Sequence, residues 1–246
     1  MEKVKELNKT AMVSSATVTA EDLAKINQYT LKQLSAEDVF VFKVMMADNE
    51  TDDRNYEPLT RKALDDMVRL YPGITVLKDH HRSADTQVGR IFDTWIEEDP
   101  MRKTEAGEIH AEAHAKIYIN RTSTNADLIA DLEAGIKSEV STGTVPEHLV
   151  CSICGADQME TWCSHWPGES YTVNGEKKLC QMTITDIKSA RELSLVAVPA
   201  QPRAGTHKAE AELKKETDTP DASIVDLRIR MTEAFLNIQK GDDENE

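Results

Sequence analysis

The sequence predicts an α+β domain: a curved antiparallel sheet or small β-barrel flanked by helices, carrying a small cysteine-knuckle insertion and a helical C-terminal tail. Three observations carry this reading. Segments rich in β-branched and aromatic residues outnumber helical ones, and most of the helical segments lie between them. Four cysteines and a nearby histidine crowd into one stretch between two strand-like segments. Beyond Pro202 the chain turns charged and then amphipathic. The organisation that follows is an N-terminal extension and helix over 1–37, a main domain over 38–205 with an insert at 150–181, and a tail over 206–246.

The elements follow in order. Residues 1–18 carry no strong pattern. Thr19 then stands as a helix cap before Ala20-Glu21-Asp22, with acids in the first turn, and Leu23, Ile26, Thr30 and Leu34 share one face. Val39-Phe40-Val41-Phe42-Lys43-Val44 is a strand. Residues 60–70 form a helix with Leu64, Met67, Val68 and Tyr71 facing inward, ended by Pro72-Gly73. Strands are predicted at 74–78, 88–95, 108–119, 140–145, 182–187 and 193–198, and a helix at 122–134 capped by Ser123 or Asn125 and closed by Gly135. In the tail, 209–216 is a charged helix former and 217–220 a linker. Ile224, Leu227, Met231, Phe235 and Ile238 follow a three/four spacing, and the last six residues are acidic and expected to be disordered.

The formal net charge of −15 over 246 residues, with no Lys/Arg-rich run, argues against phosphate-backbone binding. No apolar stretch has the length of a membrane span, and the N-terminus lacks the apolar core of a signal peptide. A cytoplasmic location is therefore expected, where clustered cysteines ligate metal rather than form disulfides. Cys151-Ser152-Ile153-Cys154-Gly155 is a metal-knuckle sequence: two thiolates two residues apart turn onto one ion, and the glycine permits the turn. Cys163 and His165 complete a tetrahedral set, with Cys180 as the substitute for His165. Thiolates mixed with imidazole suit zinc, and a set with no open position reads as structural. Trp162, Trp166 and Tyr171 supply a miniature core or a contact surface.

Two other segments pair as a serine hydrolase site: Lys78-Asp79-His80-His81 at a strand end, and Ser138-Glu139-Val140-Ser141-Thr142-Gly143 in a strand. Serine is a poor nucleophile until a base takes its proton, so a histidine that folding can bring to it matters more than either residue alone. Ser138 is an alternative nucleophile, His81 an alternative base, and Asp79 an alternative partner for an imidazole. Arg191-Glu192-Leu193-Ser194-Leu195-Val196 supplies a possible orienting carboxylate in Glu192. His110, Glu112 and His114 alternate along a strand. They form either a metal-binding face or a solvated polar face backed by Ala111, Ala113 and Ala115, and the second is favoured.

The order of Asp-His at a strand end, Val88-Gly89-Arg90-Ile91, a helix, a Ser-x-Gly strand and finally Glu192-Leu193-Ser194-Leu195-Val196-Ala197-Val198-Pro199-Ala200-Gln201-Pro202 resembles the prohead (capsid maturation) proteases of tailed bacteriophages, relatives of herpesvirus assemblin. The resemblance covers about residues 38–205. It implies an assemblin-like fold, His80 as catalytic histidine, Ser141 as nucleophile and Glu192 as third member. It also implies the major capsid protein and scaffold protein as substrates, self-cleavage, a possible homodimer, and a place in the host cytoplasm inside the assembling procapsid. Two rivals stand beside it. One is a non-catalytic assembly module whose insert and C-terminal helix bind partners. The other is a metal-dependent hydrolase using His80, His81 and the His110/His114 face.

Overall fold

A computed structural model describes residues 18–51 and 53–206. The expected N-terminal extension over 1–17 and the tail helices beyond residue 206 lie outside the described residues.

Helix α1 (Ala20–Ile26) starts as expected. Thr19 Oγ1 accepts from the Asp22 amide, and the Asp22 carboxylate accepts from the Thr19 amide, a reciprocal capping box. It ends earlier than its apolar spacing implied. Asn27 reaches across the following loop, donating from Nδ2 to the Leu34 carbonyl and accepting from the Leu34 amide, so Thr30 and Leu34 sit in that loop. Strand β1 (Val39–Asp48) is buried at every position except Lys43. Helix α2 (Arg61–Leu70) is capped by Thr60, with Ala63, Leu64, Met67 and the C-terminal Tyr71 buried. Then come β2 (Thr75–Lys78), β3 (Gly89–Lys103) and β4 (Ile109–Asn120). A single 3-10 turn at Ser123–Asn125 leads into α3 (Ala126–Glu133); neither Ser123 nor Asn125 makes a capping hydrogen bond, while Gly135 closes the helix at φ 69°. Strand β5 (Val140–Cys151) is twice the expected length. The hairpin β6 (Ser170–Val173) and β7 (Glu176–Leu179) follows, then β8 (Met182–Leu195), one continuous strand where two were expected. Register shifts opposite Thr144 to Leu149 of β5 explain the apparent break: β8 bends without losing its partner.

The main sheet runs β1-β4-β3-β2-β8-β5, antiparallel except for the parallel pair β2/β8. It is open, not the closed barrel held as one alternative. Its two edges nonetheless approach each other, and Gly205 lies between them, exchanging hydrogen bonds with Met45 of β1 and bridging to Glu139 just before β5. Alternation along β1 sends Phe40, Phe42, Val44 and Met46 to a core shared with α2 and α3, and Val39 and Val41 to a smaller core under α1. Both faces are covered over β1, which accounts for its burial.

Candidate active site and cysteine cluster

The parallel pairing of β2 with β8 places the end of β2 beside the end of β8. The chain then turns sharply. Asp79 and His80 both adopt left-handed backbone conformations, at φ 53° and 56°, which non-glycine residues rarely do and which cluster at functional sites. Two hydrogen bonds hold the turn: the Asp79 amide donates to the Leu195 carbonyl, and the His80 amide donates to Ser194 Oγ at 3.1 Å.

Glu192 and Ser194 are two apart on β8 and share a face. Ser194 Oγ donates to Glu192 Oε2 at 2.5 Å, and Glu192 Oε1 lies 2.8 Å from His80 Nδ1. The result is a closed ring of imidazole, carboxylate, hydroxyl and the histidine's own amide. Glu192 is 2% exposed and Ser194 fully buried. A carboxylate taken this far out of water needs such partners.

Ser141 enters from β5, in register opposite Ser194, and Gly143 lies opposite Glu192. A β-carbon on Gly143 would fall well inside contact distance of Glu192 Oε1 and 3.1 Å from its Cδ, so the carboxylate occupies the space of the missing side chain. This is the physical reason for a glycine two residues after the serine. Tyr71 Oη donates to the Gly143 carbonyl at 3.2 Å and fixes this part of β5 from beneath; burial raises its phenol well above the ordinary value. Ser141 and His80 line one cavity of about 220 Å³, and Ser141 Oγ has no hydrogen-bond partner among the described residues.

The structure therefore brings His80, Ser141 and Glu192 together. It does not bring in the alternatives. Ser138 lies outside the cavity, with its carbonyl accepting from the Thr206 amide. His81 and Asp79 are exposed, and neither side chain reaches His80. Ser194 was missed by sequence reasoning; the signal was the i, i+2 spacing from Glu192, which on a strand means a shared face.

On β4, Ala111, Ala113 and Ala115 pack in the core as expected, but the opposite face is not a solvated one. His110 is 3% exposed and its Nε2 makes no hydrogen bond; His114 stacks on Trp95 and lies 3.0 Å from Glu112 Oε2. The neighbouring strand β3 sets Trp95 beside His114, and Glu50 and Glu112 approach His110 Nε2 to 3.9 and 4.0 Å. These histidines form no ligand group with His80 or His81 among the described residues.

In the insert, Cys151, Cys154, Cys163 and His165 hold their ligand atoms within 4.8 Å of one another. Cys151 Sγ is 3.7 Å from His165 Nδ1, close to the separation of two ligands on one tetrahedral ion. Gly155, at φ 73°, donates its amide to the Cys151 carbonyl and makes the knuckle turn. Cys180 Sγ is 4.0 Å from Cys151 Sγ but falls outside the four-residue group; with Cys151 and Met182 it forms a small buried core. Tyr171 closes the other side, edge-on to His165 and accepting from the Trp166 amide. The cluster is close enough to bind a metal ion.

No protein-family model, curated protein or solved structure matches this chain.

Proposed function

We propose that the chain is a serine endopeptidase of the prohead-protease kind, acting on scaffold and capsid polypeptides and on itself during phage capsid maturation. The observation that carries the catalytic part is the 2.8 Å hydrogen bond from His80 Nδ1 to the buried Glu192 beside a cavity that His80 shares with Ser141. With Nδ1 held by Glu192, Nε2 is the atom that takes the proton from Ser141 Oγ. The freed oxygen attacks the scissile carbonyl, and Glu192 stabilises the imidazolium that forms. The same imidazolium then returns its proton to the leaving amine, and water repeats the cycle on the acyl-enzyme. Ser194 positions the carboxylate and the histidine backbone together.

The viral setting, the capsid and scaffold substrates, the host-cytoplasmic location and a homodimer rest on the motif order described above. In the insert, Cys151, Cys154, Cys163 and His165 hold structural zinc; three thiolates and one imidazole match its donor preference, and the ion would tie the knuckle to the loop that follows it.

An intact-mass time course of wild type beside Ser141→Ala tests the reading. Trimming in the wild type alone is expected, with fragment masses locating the cut; trimming in both proteins refutes the role of Ser141. No trimming in either, repeated with capsid and scaffold proteins present, favours a second reading, a non-catalytic assembly module. One feature speaks for that reading: Trp162 and Trp166 pack edge-to-face on the insert yet are 72% and 60% exposed.

A further inference from the structure

The cavity at Ser141 has a polarity that the catalytic residues do not explain. Met46, Leu59 and Ile184 line part of it, and Asp53 and Glu57 line another part. Both acids come from the turn between β1 and α2. Asp53 Oδ1 accepts from the amides of Asn55, at 2.8 Å, and Glu57, at 3.1 Å, so its carboxylate shapes the turn. Glu57 has no such duty: its carboxylate makes no hydrogen bond, and no Lys or Arg pairs with either acid among the described residues. Arg54, the nearest cation in sequence, donates instead to the Pro199 carbonyl.

Two carboxylates lining one cleft, with no Lys or Arg paired to them among the described residues, are an incomplete electrostatic arrangement. Burial, and next the Asp53 charge, push the Glu57 carboxyl above its ordinary value. Its apolar walls match the methylene stem of a long basic side chain, whose head prefers a polar end. The size agrees as well. At about 220 Å³ the cavity is smaller than typical small-molecule sites, roughly 300–1,000 Å³, and suits a single side chain. Ser141, 8% exposed and with its hydroxyl unpartnered, faces the same space.

We propose that this cleft is a specificity pocket for a lysine or arginine side chain of the substrate polypeptide, close to the scissile bond. Glu57 pairs with the cationic head, while Asp53 holds the Glu57 turn and adds negative potential. The inference rests on the peptidase reading for its substrate, but its test does not require hydrolysis.

Ser141→Ala is titrated with fluorescein-labelled peptide pools carrying Lys, Arg, Gln or Glu at one fixed position, with binding read by anisotropy. The Lys and Arg pools are expected to bind about tenfold more tightly than the Gln pool, the scale of one well-placed charge pair. Adding Glu57→Gln, which keeps the shape and removes the charge, is expected to erase that preference; adding Glu57→Lys should move it to the Glu pool. Circular dichroism of each variant confirms that it is folded. Equal binding of the Lys and Gln pools by folded Ser141→Ala, a preference that survives Glu57→Gln, or no binding of any pool overturns the proposal. Wild-type cleavage of the same pools separates the two readings. A basic preference in binding without hydrolysis keeps the pocket and removes the peptidase. Hydrolysis indifferent to the basic residue keeps the peptidase and removes the pocket.

Discussion

The two chemically loaded regions are built in opposite ways. The Ser-His-Glu site joins residues far apart in the chain: His80 and Glu192 are 112 positions apart yet hydrogen-bonded, and only the β2/β8/β5 register brings them together. The cysteine cluster is local, with Cys151 and His165 14 positions apart and a tight turn doing most of the arranging. A site made by register depends on the whole sheet. A site made largely by a turn draws on the sheet only where Cys151 ends β5 opposite Met182 of β8. The two should therefore fail separately.

The largest expected effect tests that separation directly. With the proposed zinc in the Cys151/Cys154/Cys163/His165 cluster, a strong chelator should unfold the insert, because a small metal-held module draws most of its folding energy from the ion. Trp162 and Trp166 fluorescence should change and protease cuts should appear between residues 152 and 180, with the far-ultraviolet signal of the main sheet largely kept. Loss of the sheet at the same chelator concentration would break the comparison.

Gly143→Ala comes next and strikes only the register-built site. The added methyl group must displace the Glu192 carboxylate, and a shift of about 1 Å in such a group costs on the order of a hundredfold in turnover. Metal content, measured by atomic emission, should not change.

Ser194→Ala is milder. It leaves one buried Glu192 oxygen and the His80 amide without their partner, a cost of about 1–3 kcal/mol. Turnover should fall about tenfold at unchanged KM, and the pH–rate profile should shift as the Glu192 carboxylate that holds the imidazole loses its own hydrogen-bond donor. A purely structural role would lower the melting temperature and leave that profile where it was.

The smallest effect concerns the seam between the regions. His148 of β5 pairs with Asp157 of the insert at 2.6 Å and lies 3.7 Å from Asp186 of β8. The hydrogen bond to Asp157 raises His148 above its ordinary 6.5, and the same bond lowers Asp157 below 3.8. Raised in the fold, the imidazolium contributes its full stability below pH 6.5 and loses it as pH climbs through the raised value. Asp157 contributes above 3.8 and loses its contribution as pH falls through the lowered value. The gap in insert melting temperature between wild type and His148→Gln should therefore narrow from mildly acid to alkaline pH, and stay small because the pair is at the surface.

Much of this was legible in the sequence, and the difference between the regions explains what was not. The Cys151-x-x-Cys154-Gly155 turn and the Thr19 cap are local devices, and the structure places them as their spacing implies. The nearness of His80, Ser141 and Glu192 was legible only through the order of their motifs, since no local rule links residues so far apart. Ser194 was not, because its part depends on two facts found only in the fold: the left-handed turn that aims the His80 amide at it, and the face it shares with Glu192. The continuity of β8 was hidden for a similar reason. Its middle, Lys188-Ser189-Ala190-Arg191, is polar enough to read as a break, yet Ser189 and Ala190 still pair with β5. The burial of His110 was hidden because the group nearest its ring from outside β4, Glu50, comes from the segment after β1, sixty positions away in the chain.

Gly205 gives the open sheet a property of its own. Its amide and carbonyl are both bonded to Met45, while its α-carbon lies so near the Ser138 carbonyl that a side chain would collide at 2.6 Å. One residue thus acts as a clasp across the two bare margins of the sheet, satisfying backbone groups that would otherwise invite a foreign strand. A chain cut on the N-terminal side of this glycine would carry two unguarded margins. Its expected fate is to pair those margins with other copies of itself.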